Sequence, residues 1–154
     1  MMFTHILFPT DGGAPSLEAI VPCAQLARSV GARITVLHVC APLHFVAMRP
    51  ALLTDMAPLY AVHRRSVAHA CAEQVAAAAR SHGVTCDTLV VEHELPYQAI
   101  VEAARSHGCD LVAMASHGLG GWRALLIGSE THKVLAHSAV PVLVLRPPAG
   151  SAAR

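Results

Sequence analysis

Ala115-Ser116-His117-Gly118, followed by nine residues and then Gly128-Ser129, is the part of this chain whose residue types and spacing best suit chemistry. The apolar run Leu111-Val112-Ala113-Met114 precedes it and reads as a buried strand. Ser129 to Leu135 follows it and reads as the start of a helix. A glycine-containing loop at a helix amino end points backbone N–H groups outward, and the helix dipole favours an anion there. A phosphate group is the expected ligand. Gly118 and Gly128 would permit close backbone approach or a positive φ. Ser129 would cap the helix or donate its hydroxyl to phosphate. His117, Arg123 or Lys133 would balance the charge. Ala115 stands where a third glycine is expected, and a positive φ there would cost an alanine about 1 kcal/mol or more. The bland alternative is a tight strand-to-helix loop with Ser129 as a simple cap.

A second loop has the same character. The apolar run Phe3 to Pro9 ends in Thr10-Asp11-Gly12-Gly13. Asp11 would accept hydrogen bonds from a ribose hydroxyl or an adenine amino group, and Asp-Gly is also strong turn chemistry. The two roles are compatible. Better-known phosphate loops are absent: there is no G-x-x-x-x-G-K-S/T, and Gly118-Leu119-Gly120-Gly121-Trp122-Arg123 lacks the third glycine of G-x-G-x-x-G. No G-x-S-x-G occurs, and no cysteine has a histidine partner by spacing. His63 and His69 are six apart, a poor helical spacing for metal ligands, so no metal site is expected.

The elements that must hold these loops follow from hydrophobic patterning. Strands are expected at 3–9, 33–39, 86–91, 110–114 and 140–145. Helices are expected from about Pro15 to Gly31, from Pro58 to His82, from Pro96 to Gly108, and from Ser129 to His137. Pro22 should kink the first helix or mark its late start. Cys40 to Asp55 reads as a long irregular loop. The sequence Ala-Arg-Ser-His-Gly occurs twice, at Ala79–Gly83 and Ala104–Gly108, and reads as helix-stop chemistry at two equivalent carboxyl ends. Strand runs are continuously apolar rather than alternating, so helices should cover both faces of an open parallel sheet. Ligands in such sheets sit outside the strand carboxyl ends, at the topological switch point.

Composition agrees with one domain over residues 1–148 and a loose tail at 149–154. The 154 residues are 54% hydrophobic, only 4% aromatic and 14% charged, with net charge +1. No basic stripe argues for nucleic acid. Mean hydropathy is +0.48, yet the longest charge-free stretch, Ile34 to Met48, contains two histidines and a proline, so no membrane span is expected. Five scattered cysteines without C-x-x-C suit a reduced, cytoplasmic protein. The last strand is short, apolar and β-branched, and pairing with a second copy would remove an exposed edge.

The opening ILFPTDGG, the LHV of the second strand and the closing VAMASHGLGGWRALLIGSETHKVLAHSAVPVLVLRP together resemble the universal stress protein family, over nearly the whole chain. Its nucleotide-binding members carry G-x-x-G, nine residues, then G-S or G-T, and the chain aligns as Ala115-x-x-Gly118, nine residues, Gly128-Ser129. The resemblance implies a three-layer α/β/α sandwich with a five-stranded parallel sheet, of the adenine nucleotide alpha hydrolase-like type. It further implies a homodimer through Val140, Val142 and Val144 of the last strand. ATP, AMP or ADP, with magnesium as an accompanying ion, is the implied ligand. By position, Pro9, Thr10 and Asp11 would meet the adenosine and Val39 would line the adenine pocket. Met114, Ala115, His117 and Gly118, with Gly128, Ser129, Glu130 and Thr131, would wrap ribose and phosphates. The expected role is a stress-response regulatory module with negligible turnover. The alternatives are a slow nucleotide hydrolase using His117, and a nucleotide-free dimeric interaction protein in which Ala115 has closed the site.

Overall fold

A computed structural model describes residues 2–42, 57–116 and 127–146. The expectations for His117, Gly118, Arg123, most of the loop after Cys40 and the tail from 149 lie outside the described residues. The described chain runs β1 (His5–Thr10), α1 (Ala14–Val30), β2 (Arg33–Cys40), α2 (Ala57–Ser81), β3 (Cys86–Glu92), α3 (Pro96–Ser106), β4 (Leu111–Ala115), α4 (Ser129–His137) and β5 (Val142–Leu145). Every strand pairing is parallel, and the sheet order is β3-β2-β1-β4-β5.

Strand periodicity sorts side chains to the two faces. Ile6 and Phe8 of β1 and Ile34 and Val36 of β2 join α1 and α2 in one core. Leu7, Leu37, Val112 and Met114 join Ile100 of α3 and Val134 of α4 in the other. The helices meet the sheet largely through alanine, including Ala24, Ala27, Ala72, Ala76, Ala103 and Ala104, all buried. Small contact residues let the helix axes lie close to the strands, which is how a chain so poor in aromatics fills its interior.

Helix ends obey local chemistry. Gly31, Gly83 and Gly108 all adopt positive φ after their helices. At both copies of Ala-Arg-Ser-His-Gly the histidine turns Nδ1 to the carbonyl four residues back, His82 to Ala78 at 2.9 Å and His107 to Ala103 at 3.1 Å. Pro22 lies inside α1, which runs unbroken from Ala14, so the expected late start does not occur. β5 begins at Val142 rather than Val140. Pro141 has no N–H for a ladder. The Ser138 hydroxyl donates to the Val140 carbonyl at 2.7 Å and accepts from its N–H at 3.2 Å, closing a turn instead. Val140 is therefore not a residue of the edge strand.

At the opposite end of the sheet, Asp110 ties the beginnings of β1 and β4 together. Its carboxylate accepts from the Thr4 N–H at 2.8 Å, the Thr4 hydroxyl at 2.7 Å and the His5 N–H at 3.0 Å. Burial pushes its pKa up, but the Thr4 hydroxyl and the two backbone N–H groups outweigh that and hold it below the usual aspartate value. Asp110→Ala is expected to lower the unfolding free energy by about 1–2 kcal/mol in urea titrations. The sign in pH follows from the lowered value: the contribution is present above the ordinary aspartate pKa and is lost as pH falls through the folded one.

Candidate functional site

β1 is the central strand at which the order reverses. It pairs with β2 over the six residues from His5↔Arg33 to Thr10↔His38, but its register with β4 covers only Ile6↔Leu111 and Leu7↔Val112. Beyond Leu7 the two strands part, and Pro9 brings no N–H to either neighbour. A cavity of about 370 Å3 lies at this carboxyl edge. Pro9, Thr10 and Asp11 of the β1 end line it, with Val39 of β2 and Met114 and Ala115 of β4. Gly128, Ser129, Glu130 and Thr131 at the amino end of α4 complete the expected set. Each described residue that the resemblance assigns to the nucleotide thus borders one space, whereas Lys133, offered to balance phosphate charge, does not line it and pairs with Glu130. His117 and Gly118 lie outside the described residues.

Four further lining residues were missed: Ser16, Leu37, Pro96 and Ile100. The signals were present. Leu37 shares a sheet face with Val39 two residues on, and Ile100 lies one turn beyond Pro96 on α3. Knowing which helices cover that face was the missing step.

The β1 turn is built by its own side chains. The Thr10 hydroxyl accepts from the Gly12 N–H at 3.0 Å, and Asp11 Oδ1 accepts from the Gly13 N–H at 2.8 Å. Gly12 adopts φ +82°, and a Cβ there would lie 3.0 Å from Cys71 Sγ of α2. Asp11 therefore performs the turn chemistry while lining the cavity. His38 and Cys40 occupy the other face of β2, with Cys40 Sγ 3.7 Å from His38 Nδ1. Burial lowers the His38 pKa more than the Asp11 carboxylate raises it, which favours the neutral ring. Burial likewise pushes the thiols of Cys23 up to about 12 and of Cys86 and Cys109 up to about 11, as packed rather than reactive sulfurs. Among the described residues no three of His, Cys, Asp or Glu converge as a metal group.

Two open local questions are decided. Ala115 is a strand residue paired with Leu145, it is 6% exposed, and no described residue other than glycine has positive φ. The strain that a positive φ would bring at position 115 does not arise, because a parallel ladder, extended by Ser116 N–H to Leu145 O at 2.8 Å, holds the backbone extended. At α4 the N-cap is Gly128, at φ −59° and ψ 155°, which brings no side-chain cap, and no other described residue is seen to cap the helix. Gly128 is therefore not left-handed, and Ser129 is the first helical residue rather than the cap. The uncapped amino end of α4 borders the cavity, where N–H groups and dipole suit an anion.

A parallel α/β sandwich with a crevice at its switch point, one wall apolar and one wall an uncapped helix amino end, belongs to the class of folds that hold nucleotide-like ligands. Residues 2–146 match the Universal stress protein family, and the chain belongs to that family. A relative from Thermus aquaticus, the universal stress protein in QAH/OAS sulfhydrylase 3′ region, is 32% identical over 94% of this chain and 100% of its own length. Among solved structures, a universal stress protein in complex with cAMP superposes with TM-score 0.63 at 23% identity, over 94% of this chain and 98% of that one. The universal stress protein from Archaeoglobus fulgidus in complex with dAMP gives 0.60 at 16% identity, over 94% and 99%. Both likenesses are of fold.

Gly12→Ala is expected to destabilise the protein by about 1–2 kcal/mol in thermal or urea unfolding, from its positive φ, with the contact to Cys71 adding to it. Ala115→Gly is expected to lose about 0.5–1 kcal/mol, because a glycine in a strand gives up entropy and packing without relieving any strain. A stabilised Ala115→Gly variant would mean that the strand conformation at this position is wrong.

Proposed function

We propose that this chain binds an adenine nucleotide in the cavity between the β1 and β4 ends, as a regulatory module of the stress response. The observation that carries the reading is the composition of that cavity. Val39, Leu37, Met114 and Ile100 form an apolar slot suited to a base, Asp11 stands at the β1 end for ribose or amino contacts, and the uncapped α4 terminus suits phosphate. The adenine nucleotides named for the two solved relatives support the choice of base. Binding would order the residues around the cavity and alter what the protein presents to its partners. ATP, AMP and ADP share the features that this wall recognises, and magnesium would enter with a polyphosphate rather than on a preformed protein site.

The protein acts, on this reading, as a cytoplasmic homodimer and a binding module rather than an efficient hydrolase. β5 is an edge strand of the sheet, and its partly exposed Val142 and Val144 would be covered by a second copy. No helix among the described residues is long and apolar enough to cross a membrane.

Thermal unfolding with millimolar AMP, ADP or ATP, with and without magnesium, tests the reading. At a ligand concentration about a hundred times Kd the stabilisation is about 2.7 kcal/mol, which raises Tm by several degrees. Guanine and pyrimidine nucleotides are expected to give smaller shifts. No shift with any adenine nucleotide would leave the nucleotide-free interaction protein as the better reading. Steady-state phosphate release is expected to stay near background, and rapid turnover would make the protein an enzyme.

A further inference from the structure

Six polar residues among those described are buried: His5, Thr10, Ser16, Thr35, Ser116 and Thr131. A buried polar group is ordinarily hydrogen-bonded, because an unpaired one has given up water for nothing. Three of the six obey. His5 Nε2 lies 2.8 Å from Thr35 Oγ1, and the Thr10 hydroxyl accepts from the Gly12 N–H at 3.0 Å. The hydroxyls of Ser16, Ser116 and Thr131 have no hydrogen-bond partner among the described residues. Ser116 ends its described segment, whereas Ser16 and Thr131 both border the cavity. His5 Nδ1 is the only fully enclosed side-chain polar atom without a partner among the described residues. The Ser16 and Thr131 hydroxyls are therefore not sealed in the core, and they open on the space that their residues line.

Thr131 belongs to the set that the family resemblance assigns to the ligand. Ser16 does not, and it is only 4% exposed. It stands in the first turn of α1, a helix of 17 residues. Serine in such a place commonly turns its hydroxyl to nearby backbone, yet here only its N–H is engaged, donating to the Gly13 carbonyl at 3.2 Å. The Gly13 N–H in turn donates to Asp11 Oδ1 at 2.8 Å. One turn thus carries a carboxylate and a hydroxyl on the border of the same cavity. A carboxylate only accepts, whereas a serine hydroxyl both donates and accepts. Two adjacent hydroxyls of a ribose complement that pair: one donates to Asp11, and the other exchanges a hydrogen bond with Ser16. A phosphate offers acceptors and negative charge, which suits the α4 end better than a turn that already holds a carboxylate.

We propose that Ser16 is a ligand-binding residue that reads the sugar of the nucleotide, its hydroxyl bonding a ribose hydroxyl beside Asp11. The inference rests on the adenine-nucleotide reading of the same cavity.

The test is calorimetric titration of the wild-type protein and Ser16→Ala with AMP, 2′-deoxy-AMP and 3′-deoxy-AMP, together with urea unfolding of both proteins without ligand. Without ligand, Ser16→Ala is expected to be as stable as wild type or slightly more so, because the lost hydroxyl has no partner in the fold. It is expected to bind AMP about fivefold more weakly, the net worth of one hydrogen bond. Wild type is expected to lose a similar factor on one of the two deoxy nucleotides, and on that nucleotide the variant is expected to lose nothing further. The wild-type comparison needs no variant, so it stands even if Ser16→Ala folds poorly. Equal losses by the variant on all three nucleotides would overturn the proposal, as would an unchanged affinity for AMP. A variant less stable than wild type without ligand would overturn it too, since the hydroxyl would then serve the fold. Wild-type protein that binds none of the three would instead overturn the underlying reading, and this inference with it.

Discussion

The separation of β1 from β4 is the constraint on which the rest of this molecule depends. A right-handed crossover sends the chain from β1 to β2 on one side, and the later return places β4 on the other. Helices therefore leave the two strands toward opposite faces, and the ladder between them ends at Leu7↔Val112. The crevice follows from topology. Its walls are whatever the sequence places within two or three residues of those strand ends, which is why Pro9 to Asp11, Met114 and Ala115 meet there. The opposite end of the sheet has the reverse task. There Asp110 bonds Thr4 and His5, closing the base of the same pair of strands.

The electrostatics of the crevice follow from the same geometry. In a parallel sheet covered by right-handed crossovers, every helix starts at the strand carboxyl edge, so dipoles of one sign gather at one rim. This chain dresses those ends unequally. Asp11 accepts from the Gly13 N–H before α1, and Glu130, from the first turn of α4, accepts from the Tyr97 N–H of α3. A uniform rim would attract any polyanion. The apolar residues Leu37, Val39 and Ile100 line the same cavity.

Small residues make the arrangement tight. Gly12 at φ +82° leaves just enough space for Cys71, so α2 buttresses the turn that carries Asp11 from behind. The alanines of α1, α2 and α3 bring the helices down on the sheet, and the buried thiols fill gaps as weakly polar packing atoms. The cavity is consequently framed by elements that the core holds in place.

Element types, their order and the parallel sheet were legible in the chain alone, because continuous apolar strands, amphipathic helices and Gly or Pro stops are local signals. The helix-stop glycines at 31, 83 and 108 and the Asp11 turn are decided within four or five residues of sequence. Residue type and spacing also singled out Asp11, Gly128 and Ser129, and the family resemblance added Pro9, Val39, Met114, Glu130 and Thr131, all now found around one cavity. Other matters were not local. The backbone conformation of Ala115 depends on its ladder with Leu145, thirty residues on. The partners of Glu130 lie on another helix as well as its own, so its role could not be read from spacing. Val140 fell outside β5 because a serine side chain competed with the ladder. Sequence by itself determined which elements form and which face each strand residue takes, since those depend on period and local sterics. Tertiary structure alone decided that the Glu130 carboxylate on one helix meets the amino end of another. That pairing joins residues distant along the chain, and only the packed sheet brings them within hydrogen-bond reach.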